Sequence, residues 1–440
     1  MMNVAIFEKS AAAIARIPVR AAVGRVVAVG AGQVRVGELA HLSRLGDPVA
    51  VRATADLITG EVVHLVDGIA EVLLDGPTEG IQLGADVTLL SRPPFAPDDD
   101  WIGRVIDPDG MPLDGRPLLP GLAARAVQTA PPPAHLRRAM GQRLETGMAV
   151  FNTLLPLVTG QRIGLFSGSG VGKSTLIADL ARGIEADLVV IALVGERGRE
   201  VRHFVDEVLG PEGMKRAIVV AATSDRAAQV RKRCAFAAMA VAEHFRDAGL
   251  NVMLFIDSVT RFCEAHREIA VAAGEGASLR GYPPSTGPAI AGLCERAGPG
   301  YGTTGDITAI FSVLVAGSDM EEPVADMLRG VLDGHVVLDR EIAERGRFPA
   351  VDVLRSVSRS LPKAANDAEH ETILQTRRLM GHYANAELMI QAGLYAPGSD
   401  PDIDAAIACH GPLESYLSIN DGRGADAHFI ALRQVLGKGR

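Results

Sequence analysis

Aromatic residues are scarce in this chain, at 4% of its 440 residues, and Phe7 and Phe95 are the only two among the first 100. Proteins that capture nucleic acid offer rings for bases to stack on, and the N-terminal part has almost none. An excess of positive charge is missing as well. The 44 Lys and Arg are outnumbered by 53 Asp and Glu, a net charge of −9, so no polyanion is drawn in by charge alone. No apolar run approaches the ~20 residues of a membrane-spanning helix. Residues 1–9 lack the basic start and long apolar stretch of a secretory signal, which points to a cytoplasmic protein. Cysteine is rare too: Cys234, Cys263, Cys294 and Cys409 form no C-x-x-C pair. Structural zinc needs four ligands, and the adjacent Cys409 and His410 do not make a site. The thiols are expected to be buried small apolar groups in a reducing compartment.

What is present is a globular composition, 48% hydrophobic and 22% charged, long enough for two or three domains. Between residues 20 and 92, short β-branched runs at 25–29, 33–36, 48–52, 61–65 and 69–74 are separated by glycines. This pattern predicts a small β-barrel. A Pro- and Asp-rich stretch at 93–100 marks a boundary, and Pro131-Pro132-Pro133 a further extended connector. From 163 onward, apolar strand candidates at 163–166, 188–194, 217–221, 252–256, 307–315 and 336–338 alternate with helical segments. That alternation predicts an α/β domain with a mainly parallel sheet. After Pro362 the chain turns helical and Ala-rich. The expected division is an N-terminal arm at 1–19, a barrel at 20–95, an α/β domain at 96–365 and a helical domain at 366–440.

The most informative stretch is Ser167-Gly168-Ser169-Gly170-Val171-Gly172-Lys173-Ser174-Thr175. It joins a short apolar strand to a helix. Glycines there let main-chain amides curl around phosphate oxygens, and the helix start adds free N–H groups and partial positive charge. Lys173 is placed to reach the terminal phosphates of ATP, and the Ser174 hydroxyl to ligate Mg²⁺. The pattern usually opens on glycine, where this chain has Ser167.

Two further strands end in carboxylates. Asp257 closes the apolar run 252–256, where it can hold Mg²⁺ through a water opposite Ser174; the plainer reading is a cap on the next helix, but its place downstream of the phosphate loop in the same α/β domain favours the metal role. Glu196 follows the run 188–194 and is a candidate to orient an attacking water. On the residues alone, a solvated charge cluster with Arg197, Arg199, Glu200 and Arg202 fits Glu196 as well. A cation that neutralises charge developing on a transferred phosphoryl group often comes from a neighbouring subunit, and Arg355 and Arg359 are both candidates. The basic run Arg231-Lys232-Arg233 is expected on one helix face, at a subunit contact rather than on nucleic acid. His266-Arg267-Glu268 is expected on a solvated helix turn.

Together these segments closely resemble the flagellum-specific and type III secretion export ATPases, cousins of the catalytic subunits of rotary ATP synthases. The resemblance covers residues 20 to 410 and is carried by blocks such as Gly195-Glu196-Arg197-Gly198-Arg199-Glu200-Val201, Arg280-Gly281-Tyr282-Pro283-Pro284-Ser285, Leu332-Asp333-Gly334-His335 and Ser356-Val357-Ser358-Arg359. It implies a RecA-like P-loop core with an N-terminal β-barrel and a C-terminal helical domain. It also implies Mg²⁺-dependent ATP hydrolysis that energises protein export, in a homohexamer. Implied partners are a stator or regulator protein, an export gate and chaperone–substrate complexes, with peripheral attachment at the inner face of the membrane. Residue by residue, it implies that Gly168, Ser169, Gly170, Val171, Gly172, Lys173, Ser174 and Thr175 bind nucleotide. Glu196 is then catalytic, Asp257 lies near Mg²⁺, and Arg359 rather than Arg355 reaches a neighbour's γ-phosphate. Phe348 stands where an aromatic meets adenine, and Tyr395 is a second adenine candidate. Asn152 stands where the family usually has Asp. Other readings are a rotary synthase subunit, a ring subunit that binds nucleotide without cutting it, where Glu196 would give way to an amide, and an RNA-translocating helicase.

Overall fold

The computed structural model describes residues 2–15, 21–54, 56–276, 281–315 and 320–437. Helix α1 (Met2–Ala15) comes first. Its Lys9 ammonium lies 2.9 Å from Asp98 and 2.7 Å from Asp100, which ties the helix to the connector after the barrel.

The barrel strands are β1 (Val23–Gly30), β2 (Gln33–Gly37), β3 (Pro48–Arg52), β4 (Leu57–Val66), β5 (Ile69–Leu74) and β6 (Asp86–Leu89), closed in the order β1-β2-β5-β4-β3-β6. Valines at alternate positions point inward. Val26, Val34, Val36, Val49, Val51, Val62, Val72 and Val87 are all at most 2% exposed, because β-branched side chains fill a small pleated interior without rings. The sequence reading missed β6, four residues long. It closes the barrel by pairing with both β1 and β3.

The α/β core runs β7 (Val105–Ile106), α2 (Ala149–Asn152), β8 (Arg162–Ser167), α3 (Lys173–Gly183), β9 (Leu188–Glu196), α4 (Gly198–His203), α5 (Gly210–Met214), β10 (Ala217–Thr223), α6 (Ala228–Asp247) and β11 (Val252–Asp257). It continues through α7 (Val259–Ala272), α8 (Thr286–Cys294), β12 (Ile307–Leu314), α9 (Pro323–Val331), β13 (Gly334–Leu338), α10 (Arg340–Glu344) and β14 (Val351–Ser358). These strands form one eight-stranded sheet in the order β14-β13-β8-β12-β11-β9-β10-β7. Every neighbouring pair is parallel except β13 with β14. All six predicted core strands are present; β7 and the antiparallel β14 were not foreseen. The central strands are apolar throughout because helices cover both faces. One face packs on α3 and on the C-terminal helices α11 (Asp367–Gln391), α12 (Pro401–Leu417) and α13 (Ala425–Gly437), the other on α6 to α9. All four cysteines are buried.

Two local readings change. The basic run does not lie on a free helix face. Arg233 turns inward, pairing with Glu61 of the barrel and, at 3.1 Å, with Asp109. Gln229 of the same helix donates to the Leu73 carbonyl at 3.1 Å. The partly buried Glu61 carboxylate of the barrel, which also pairs with Arg92 at 2.8 Å, draws the guanidinium in. His266 is buried rather than solvated, with its Nε2 at 2.8 Å from Ser285 Oγ; it shares the buried face of α7 with Phe262, Cys263 and Ala270. Arg280 of the Arg-Gly-Tyr-Pro-Pro-Ser block lies outside the described residues.

Asn152 has a physical reason for its amide. Fully buried, it accepts from the Thr146 amide and hydroxyl at 2.9 and 2.7 Å, and its Nδ2 lies 2.9 Å from the Arg423 carbonyl and 3.1 Å from His428 Nδ1. A carboxylate can fill the first role but not donate to Arg423. Asn152→Asp is therefore expected to destabilise the fold by about 1–3 kcal/mol, read as a lower thermal midpoint; an unchanged midpoint would mean that this amide is not anchoring the C-terminal helices.

Candidate active site

Three strands deliver the chemistry to one edge. β8, β9 and β11 run parallel within the sheet, so their carboxyl ends, at Ser167, Glu196 and Asp257, face the same side. In open α/β sheets ligands sit beyond those ends. Ser167 completes β8 and is fully buried; its backbone is outside the left-handed region, so a side chain is tolerated where the pattern usually has glycine. Gly170 and Gly172 are the two that must be glycine, with φ of 78° and 83°. A Cβ on Gly170 would meet nothing within 4 Å, leaving the turn open to a ligand. Ser169, Ser174 and Thr175 are exposed, and α3 begins directly at Lys173.

Lys173 is paired with Asp257, which is 3% exposed. The same Asp257 oxygen accepts from Ser312 Oγ at 2.6 Å. Glu196 lies close enough to feel both charges. Burial, reinforced by the Asp257 carboxylate and only partly offset by Lys173, pushes its carboxyl up to about 7. Crowding of like charges in a desolvated pocket is how active sites tune carboxylates toward neutrality, which separates Glu196 from the solvated charges around it. Arg197 and Arg199 are exposed.

Phe348 belongs to this edge. A Cβ built on Gly172 would fall 3.2 Å from two atoms of the Phe348 ring, and the ring is 51% exposed. Tyr395 sits on the turn between α11 and α12, where its hydroxyl lies 2.9 Å from both the Asp400 carbonyl and Asp404. Its polar edge is thus engaged within the C-terminal helices. Arg359 is at the other end of the sheet. Ser358 stands opposite Gly334, the first residue of β13, while Ser167 stands opposite Leu338, the last. Four residues of strand at about 3.3 Å each, and two strand spacings, separate Arg359 from its own phosphate loop. The guanidinium is exposed, 3.4 Å from the Arg329 carbonyl, and has no ion-pair partner among the described residues. Arg355, by contrast, lies 3.4 Å from Asp339 of its own chain.

The model of the ATP synthase alpha/beta family, nucleotide-binding domain, matches residues 147–358, and that of the T3SS EscN ATPase C-terminal domain matches 365–426. Over 436 residues, 97% of this chain and 98% of the relative, the sequence is 43% identical to the flagellum-specific ATP synthase of Caulobacter vibrioides. The chain belongs to the flagellar and type III secretion ATPase family. The assembled ATPase EscN of the enteropathogenic E. coli type III secretion system superposes with a TM-score of 0.86 at 33% identity, covering 94% of this chain and 100% of that one. EscN in complex with its central stalk EscO superposes at 0.82 and 34% identity, with the same coverage. Like its family, this chain is a nucleotide-binding ATPase.

Two contributors to the site were not singled out from sequence. Ser312 is one of only two hydroxyl residues, with Thr308, in the otherwise apolar strand Ile307–Leu314, and a polar side chain near the strand's carboxyl end was its signal. Arg347, next to Phe348, gave no signal beyond its charge.

The raised Glu196 carboxyl predicts a stability effect of defined sign. A group that holds its proton to about pH 7 when folded and to about 4.5 when unfolded makes the folded state lose stability as pH rises through that window. Glu196→Gln escapes this loss. Without nucleotide or Mg²⁺, its thermal midpoint should gain on that of the native chain between pH 5 and pH 8; a constant difference would show that Glu196 titrates normally.

Proposed function

We propose that this chain hydrolyses Mg²⁺-bound ATP within a ring, a homohexamer, and that the reaction energises protein export through a flagellar or related type III secretion apparatus. The observation that carries the hydrolytic reading is the convergence of Lys173, Asp257 and a near-neutral Glu196 around an open glycine turn at one sheet edge. The phosphate oxygens would be cradled by the amides of residues 168–172 and the first turn of α3. Lys173 would exchange Asp257 for the terminal phosphates. The exposed Ser174 hydroxyl and the Asp257 carboxylate fit a hard, oxygen-loving cation; when bound, Mg²⁺ neutralises charge on the transferred phosphoryl group. Glu196 would hold the attacking water in line, its pKa suited to taking a proton near neutral pH.

Arg359 supports assembly as a condition of activity. Its distance along the sheet from its own loop, and its lack of an ionic partner among the described residues, suit a residue that completes the next subunit's site. A stalk-like partner, an export gate and chaperone–substrate complexes are the partners this reading brings with it. No helix among the described residues is long and apolar enough to cross a membrane, so placement at the inner face of the membrane would rest on those partners.

Two experiments test the chemistry. Glu196→Gln should keep ATP binding while turnover falls by on the order of 10²–10⁴-fold; undiminished turnover would remove Glu196 from the mechanism. Mixing Lys173→Ala with Arg359→Ala chains should restore activity, because some interfaces then combine an intact Lys173 with an intact Arg359. Verified mixed rings that stay inactive would rule out a guanidinium supplied across subunits. For the export role, deletion of the gene should abolish motility or secretion, and the Glu196→Gln form should fail to restore it.

A further inference from the structure

One side chain joins the phosphate loop to the C-terminal helices. The loop between α10 and β14 carries Phe348 against Gly172. Its neighbour Arg347 is 6% exposed and braces that turn from within, donating to the Pro349 carbonyl at 3.3 Å and to the Val351 carbonyl at 3.0 Å. The third side of the same guanidinium faces α12: Nε lies 2.8 Å from Glu414 Oε2. Burial weakens the charge on this guanidinium, and the Glu414 carboxylate offsets part of that cost by Coulombic attraction. A cavity of about 220 Å³ flanks the pair, lined by Leu354, Tyr383 and His410 among others. Arg345 also reaches across, 2.9 Å from Glu387 of α11, but it is 54% exposed and such a pair contributes little.

We propose that Arg347 and Glu414 form a clamp that positions Phe348, so that the placement of α12 sets how firmly the ring bears on the phosphate loop and thereby tunes nucleotide affinity. Arg347 is a positioning residue here, acting through Phe348, and the inference rests on Phe348 being a nucleotide contact. The coupling is reciprocal. A partner that shifts α12 changes affinity for nucleotide, and nucleotide changes the preferred position of α12 by the same factor.

The test is a double-mutant cycle on the full chain, with Kd for a fluorescent ADP analogue and KM and kcat for ATP measured in each variant. Glu414→Gln removes the charge from a partly exposed position on α12. It should weaken binding and raise KM roughly three- to tenfold with kcat held within about twofold. Arg347→Lys, which keeps the charge but loses the brace on two carbonyls, should do the same. Phe348→Ala should weaken binding too, and in that background Glu414→Gln should have no further effect. If Phe348→Ala weakens binding and Glu414→Gln does not, the clamp is refuted while the nucleotide site stands. If Glu414→Gln weakens binding equally with and without Phe348, the ion pair is merely structural and the clamp is again refuted. If Phe348→Ala leaves affinity unchanged, Phe348 is no nucleotide contact and the clamp falls with it.

Discussion

The contact between Lys173 and Asp257 is what the carboxyl edge of the sheet is organised around. A lysine desolvated at the start of α3 needs an anion, and Asp257 supplies it from two strands away, held in turn by Ser312. Such a partly buried pair is weak evidence for stability, because desolvation offsets much of the attraction. On the function proposed above, its value is that each member is kept ready for exchange: a phosphate that enters would take the lysine and leave the carboxylate free for a cation. Glu196 feels the same arrangement from the side. Its raised pKa follows from burying a second carboxyl beside Asp257, an effect that Lys173 only partly offsets.

Much of this was legible before any coordinates. The core strands betray themselves as uninterrupted apolar runs, since a parallel sheet covered on both faces has no polar side to reveal. The phosphate loop carries its chemistry in glycine spacing. Residues whose roles depend on contacts made across the fold were less legible. β14 alternates buried with exposed positions and begins just after the Phe348–Pro349 turn, so nothing local marks it as the sheet's antiparallel edge. Arg233 reads as one of three basic residues on a helix; that it turns inward depends on Glu61, 172 positions away. His266 looked solvated because its sequence neighbours are charged, and its burial follows from the packing of α7. Asn152 showed up only as a departure from pattern, and its amide makes sense once the Arg423 carbonyl is seen beside it.

The barrel and the C-terminal helices meet the core through different physics. Arg233, Glu61, Asp109 and Arg92 form a charged network between barrel and α6, and a network of this kind resists sliding because every displacement strands a charge. The C-terminal side mixes apolar contact, with Leu413, Tyr416 and Phe429 in the sheet's core cluster, and an ion pair beside a solvent-open groove. The second arrangement tolerates small displacements more readily than the first. Nucleotide-dependent adjustment is therefore easier to accommodate at the C-terminal end than at the barrel end.

On the reading proposed above, the far-edge position of Arg359 also governs when the enzyme is on. A chain released from the ribosome would carry a binding pocket and a water-orienting carboxylate but no cation at the place where charge develops. It would hold nucleotide without consuming it. Turnover would then rise more steeply than in proportion to the amount of protein, and a cell could keep a pool of spare chains at almost no energetic cost until a docking platform gathers them.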